Sequence, residues 1–193
     1  KEYRRQRQMC IRDRLNKDIA RRLNIADTVS LENVTKFLLH SIGNKISPTK
    51  IANTLKSAGK SVDQKTVDKY IKGLVDSMLI YEAGIYNIKG KQFLSTQSKY
   101  YVVDVGMRNA LVKSSESDIG HILENIVYLE LKRRYKNVYV GEIDSGEVDF
   151  VSVNDNKYEY YQVSATTLDE NTLKRELAPF GNCLLYTSPS PRD

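Results

Sequence analysis

Between Ser30 and Met78 the apolar residues recur every three or four positions, and from Leu79 onward that period is gone. A chain patterned this way must place short amphipathic helices first and strands after them. Leu31, Val34, Leu38 and Ile42 form the first helical series, with Ser30 as its expected N-cap and Gly43 as its stop. Ser47 followed by Pro48 is an N-cap with proline at the first helical position, and that helix runs through Ile51 and Leu55 to Gly59. A third helix is expected from about Asp63, carrying Val67, Ile71, Leu74 and Met78. Three short helices with tight connections make a helix-turn-helix core.

The strand-like runs that follow are LIYEAGIYNI, residues 79–88, with a turn expected near Ala83-Gly84, and KYYVVDVG, residues 99–106. Strands after a trihelical core predict a winged helix over residues 30–112. The polar stretch 112–118 reads as a linker. Beyond it lie a long helix, DIGHILENIVYLELKRR, bearing one conspicuous carboxylate at Glu124, and three strand-like runs at 138–143, 147–153 and 158–165. Asp144-Ser145-Gly146 is the expected turn between the first two, and a further helix is expected to start near Asp169-Glu170. The class is α+β, in two domains, 30–112 and 117–182.

The two ends read differently from the middle. Residues 183–193, CLLYTSPSPRD, resemble one reading frame of a transposase adapter used in sequencing libraries, and Met9–Arg14 resemble its opposite strand. Residues 1–14 and 183–193 are therefore set aside as adapter-derived or unassigned sequence. The full chain has 30 Lys+Arg against 24 Asp+Glu. The ends hold seven of the basic residues and three of the acidic ones, so 15–182 carries 23 against 21, a balance of only +2. Cys10 and Cys183 also fall in the ends, which removes disulfides and cysteine metal sites from the interior. His40 and His121 stand at no metal-ligand spacing, and no run of about 18 apolar residues offers a membrane span. A cysteine-free, Lys/Glu-rich interior suits the cytoplasm.

Eight segments in order resemble one family: DIARRLNI (18–25), SIGNKISPTKIANTLKS (41–57), TVDKYIKGL (66–74), YNIKGK (86–91), KYYVVDVGMRNAL (99–111), GHILENIVYLEL (120–131), VGEIDSGEVDF (140–150) and YYQVSATTLDENTLKREL (160–177). They are similar to the prokaryotic AAA-type ATPases whose C-terminal region is a domain of unknown function with a restriction-endonuclease-like fold. The resemblance implies a PD-(D/E)xK nuclease-like α/β domain, truncated here, after the winged helix. It also implies a parent protein that uses ATP and Mg²⁺ in an upstream ATPase domain, with residues 15–29 as the tail of that domain or the connection from it. The chain has no GxxxxGK[ST] phosphate-binding loop, so no cofactor is expected in this part.

Nucleases of the implied fold use a helix glutamate, a strand aspartate, and an acid-x-lysine on the next strand; the carboxylates hold Mg²⁺ and the lysine polarises the nucleophile. The corresponding positions are Glu124, Asp149, Gln162 and Ser164. Glu124 and Asp149 are metal ligands only if the site is active. Gln162 brings a neutral oxygen where a hard anionic one is wanted, and Ser164 brings no positive charge. The expected site is vestigial. On the third helix Lys65, Lys69 and Lys72 cluster opposite the apolar face, where a winged helix would enter the major groove, yet Asp76 lies on that stripe and Asp68 beside it. The expected role is a regulatory or partner-recognition module acting with its own ATPase domain and with a protein partner; the alternatives are a DNA-binding module and, less supported, an active Mg²⁺-dependent nuclease.

Overall fold

The computed structural model describes residues 19–22, 24–113, 118–143, 146–154 and 157–165, with positions 6, 9, 13, 173–175 and 177–179 besides. Most of 1–14, all of 183–193, residues 114–117 of the expected linker, Asp144-Ser145 and the helix start at Asp169-Glu170 lie outside the described residues.

The architecture is mixed α/β. In chain order it runs α1 (Thr28–His40), α2 (Pro48–Ser57), α3 (Gln64–Asp76), β1 (Ile80–Asn87), β2 (Gln92–Val102), α4 (Val105–Leu111), α5 (Ile119–Arg134), β3 (Asn137–Ile143), β4 (Gly146–Asn154) and β5 (Lys157–Tyr161). Two compact units divide it: 1–82 with 100–116, and 83–99 with 117–193. Ile80–Glu82 of β1 and Tyr100–Val102 of β2 thus count with the first unit, and Ala83–Asn87 and Gln92–Lys99 with the second. The sequence pattern had assigned all of 30–112 to one domain.

In the first unit, each helix starts where a side chain can take an otherwise unpaired amide. Ser47 accepts from Lys50 N at 3.2 Å with Pro48 behind it, as the sequence indicates. Asp63 accepts from both the amide and the hydroxyl of Thr66. The cap of α1 is Asp27, not Ser30: its carboxylate accepts from Ser30 N at 3.0 Å, so the helix begins three residues earlier than expected. Gly43 and Gly59 end their helices at positive φ, 72° and 74°. Leu31, Val34, Leu38, Leu39, Ile51, Leu55, Val67, Tyr70, Ile71 and Leu74 are buried. Met78, expected on the apolar face of α3, lies beyond the end of that helix and is 60% exposed. Arg108 of α4 is buried and donates from Nε to the carbonyl of Leu39 at 2.9 Å, supplying a donor at the end of α1.

Two expectations for the strands are corrected. No turn occurs at Ala83-Gly84, because β1 runs through them with Ala83 and Ile85 buried; the chain reverses at Ile88–Lys91 instead. The second strand is 92–102 rather than 99–106, and Asp104 caps α4 through Gly106 N at 2.7 Å. The sheet order is β2-β1-β3-β4-β5; β1 and β3 are parallel, and β3, β4 and β5 form an antiparallel meander.

In the second unit Tyr86 and Ile88 pack with Ile143, Val148 and Val151 of the meander, with Tyr139, Val153, Tyr158 and Tyr160 against them. Gly141 permits their close approach: a Cβ there would meet Val151 Cγ2 at 2.7 Å, Ile88 Cδ1 at 3.0 Å and Val148 Cβ at 3.1 Å. Gly141→Ala should lower stability by about 1–2 kcal/mol through overpacking. A chemical-denaturation midpoint unchanged from the parent would contradict this.

The register of β3 and β4 slips once. Tyr139 pairs with Val151 but Gly141 with Val148, so two residues on β3 span three on β4. A bulge of this kind breaks the strict alternation of side chains. Val148 and Val151 share the aromatic face, while Phe150 meets Tyr128 of α5, with ring centroids 5.6 Å apart.

Candidate functional site

The bulge carries Asp149, and α5 carries Glu124 near it. Glu124 is buried on the turn of α5 that also buries Asn125 and Tyr128. Between these acidic groups lies a residue that the sequence did not single out. Lys99 of β2 is only 4% exposed, and its ammonium donates to Glu124 Oε1 at 2.9 Å and pairs with Glu147 Oε1 of β4 at 2.5 Å. His121 Nδ1 stands 3.8 Å from the other Glu124 oxygen.

Burial alone would drive the Lys99 ammonium toward neutrality, but Glu124 and Glu147 overcome it and hold the group above its ordinary pKa. Asp149 moves the other way for a carboxyl: burial, reinforced by the Glu124 and Glu147 charges, pushes it up to about 6 against the pull of the Val163 amide and of Lys99. Its charge is therefore within reach of those of Glu124, Glu147 and Lys99.

The third expected element is placed differently from the sequence reading. β5 ends at Tyr161, short of the expected 165, so Gln162 and Ser164 lie after the strand and not on it. Gln162 still touches the site, its Oε1 accepting from Asp149 N at 3.2 Å. Val163 N donates to Asp149 Oδ2 at 2.8 Å. Ser164 is half-buried. Glu142 stands opposite Glu147 in the β3–β4 ladder. Glu159 is taken up elsewhere, accepting from Tyr161 Oη at 2.6 Å.

These bonds decide whether the residues suit the Mg²⁺ that the resemblance implies. A Glu124 oxygen is engaged by Lys99, an Asp149 oxygen by an amide, and the Gln162 carbonyl by another amide. Mg²⁺ demands near-octahedral oxygen ligands at about 2.0–2.1 Å and tolerates a neighbouring cation poorly. Among the described residues, no group of three or more His, Cys, Asp or Glu side chains is arranged to hold a metal ion. The residues do not fit the ion.

Away from this cluster, Lys65, Lys69 and Lys72 are all exposed on α3, and so are Asp68 and Asp76. The basic run at the end of α5 is internally occupied: Arg133 and Arg134 pair with Glu130 at 2.8 and 2.7 Å, and Lys132 donates to the carbonyl of Lys136. Among the described residues no helix is long and apolar enough to cross a membrane.

Fold and site together define a mixed α/β chain with a buried lysine–carboxylate cluster. It belongs to the family of the domain of unknown function DUF8612, which matches residues 1–118. It is 39% identical over 155 residues to an uncharacterized protein of Haemophilus influenzae, covering 80% of this chain and 38% of that protein. It is 32% identical over 168 residues to the uncharacterized protein MJ1544 of Methanocaldococcus jannaschii, covering 85% and 37%. The chain thus spans less than two fifths of these curated relatives. No solved structure matches it.

Proposed function

We propose that this chain is the C-terminal regulatory or partner-recognition module of an AAA-type ATP-binding protein of the prokaryotic cytoplasm. In this reading α1–α3 with the base of the β1–β2 ribbon, 80–82 and 100–102, form a winged helix, and α5-β3-β4-β5 with the rest of that ribbon form a nuclease-like domain that recognises a partner without cutting. The observation that carries the non-cutting part is the engagement of Glu124 by Lys99, with Gln162 in place of an acidic ligand. The length of the relatives supports a larger parent, since more than three fifths of each lies outside the match and leaves room for an ATPase domain.

The test uses the full-length Haemophilus influenzae relative. It should bind ATP with Mg²⁺, whereas the present chain, which has no phosphate-binding loop, should not. A relative that ignores ATP sinks the proposal.

A second reading, a DNA-binding module, is favoured by the solvent exposure of Lys65, Lys69 and Lys72 on one helix. Duplex binding with a steep salt dependence, abolished by Lys69→Glu plus Lys72→Glu, would establish it in place of the first. Mg²⁺-dependent cleavage lost on Asp149→Ala would instead establish an active nuclease.

A further inference from the structure

We infer that Lys99 is a built-in replacement for a divalent cation: its ammonium gathers Glu124 and Glu147, with Asp149 nearby, as an ion would otherwise do, and closes the site to metal. The inference rests on the nuclease-like reading for the site's ancestry, but its geometry stands without that reading.

Three elements converge on one nitrogen. Lys99 arrives from β2, Glu124 from α5 and Glu147 from β4, and the two separations, 2.9 and 2.5 Å, are those of charge-assisted hydrogen bonds. Gathering carboxylates from separate elements is the work a bound cation does in a metal site. Here an ammonium 4% exposed does it, with the advantage that it cannot dissociate. An oxygen whose lone pair accepts from the ammonium is not presented to an ion, and a second positive charge beside Nζ would be repelled. The remaining donors are turned inward as well, Asp149 toward Val163 N and Gln162 toward Asp149 N. A carboxylate as buried as Glu124, with the partly buried Glu147 and Asp149 nearby, cannot be left uncompensated, so the lysine and the ion are alternatives for the same place.

Methionine at position 99 would keep most of the apolar stem and delete the charge. The experiment titrates the whole chain with Mn²⁺, following the paramagnetic resonance signal of the free aquo ion, and repeats it with Lys99→Met. The parent chain should leave that signal unchanged at micromolar to millimolar Mn²⁺. Lys99→Met should quench it, with affinity at least about tenfold above the parent's, and should melt at a higher temperature in Mn²⁺ than in chelator. Adding Asp149→Asn to Lys99→Met should weaken that binding, which places the ion in the cluster and not on surface carboxylates. Quenching by the parent chain that is lost with Asp149→Asn overturns the inference. So does a Lys99→Met chain that folds and ignores Mn²⁺, or one that fails to refold in Mn²⁺ as in chelator. Neither outcome depends on whether the Haemophilus influenzae relative binds ATP, so the two proposals can fail separately.

Discussion

Lys99→Ala is expected to destabilise the second unit by about 3–5 kcal/mol, because it strands two carboxylates that are now paired with one ammonium. The side chains of Lys99 and Glu124 are 5% and 11% exposed, so water screens little of what is lost. A domain of this size holds only about 5–15 kcal/mol in all, which makes the loss a large fraction of the total. The chain has no tryptophan and 13 tyrosines, so urea unfolding is best followed by tyrosine emission and far-ultraviolet dichroism together. Glu124→Gln should cost less, since its amide oxygen can still accept from Lys99. A loss below about 1 kcal/mol for Lys99→Ala would mean that the pair is solvated and that the cluster does not organise the unit.

Asp149→Asn should act in the opposite direction. The Asp149 carboxyl has an ordinary value of 3.8 and is pushed up to about 6 in the folded chain, first by burial and then by Glu124 and Glu147. The folded state therefore holds a proton that the unfolded state has released, and stability falls as pH rises from about 4 to about 6. Above that window the penalty is constant at about 3 kcal/mol, a shift of roughly two pH units. Asparagine removes the charge and keeps an oxygen for Val163 N, so a gain of about 2 kcal/mol is expected at neutral pH, shrinking toward zero near pH 4. The comparison must be the difference between the two chains at each pH. Asp27, Asp63, Glu130 and Glu159 are all held below the usual carboxylate range by hydrogen bonds, and their protonation destabilises both chains in acid. A difference that does not vary between pH 4 and 8 would refute the assignment. The two substitutions share neighbours, so Lys99→Ala with Asp149→Asn should lose less than Lys99→Ala alone.

Much of the first unit was legible because its signals are local. Ser47 and Pro48 begin α2 as their chemistry requires, and Gly43 and Gly59 stop their helices at positive φ. Where two local signals competed, the nearer one misled. Ser30 is a good cap, but Asp27 takes its amide, and Ser30 becomes a helix residue. Ala83-Gly84 has turn composition, yet the burial of Ala83 and Ile85 and the pairing of Ile85 with Val140 keep the strand straight through it. The site shows the same limit. Glu124 and Asp149 could be found from their resemblance to a known pattern. Lys99 could not, because its partners are 25 and 48 residues away and nothing local marks a lysine at the edge of an aromatic run as interior. Parity gave no hint either: Lys99 shares a strand face with the buried Tyr101, but Tyr100 and Val102 on the opposite face are buried as well. The bulge that accommodates Asp149 and Phe150 was likewise invisible, since strict alternation is the rule by which strands are read.

The second unit is not a contiguous stretch of chain: it borrows 83–99 from within the first unit's span and resumes at 117. A recombination joint placed in the polar stretch around 112–118 looks harmless in sequence, yet it would deliver α5, Glu124 and Glu147 to a new host without β1, without the strand that β3 pairs with in parallel, and without Lys99. The counter-charge for the carboxylates is encoded upstream of the helix that needs it. The two units are therefore tied in heredity as one cassette, and a lineage that exchanged either alone would have to supply a new cation for the acidic cluster at the same step.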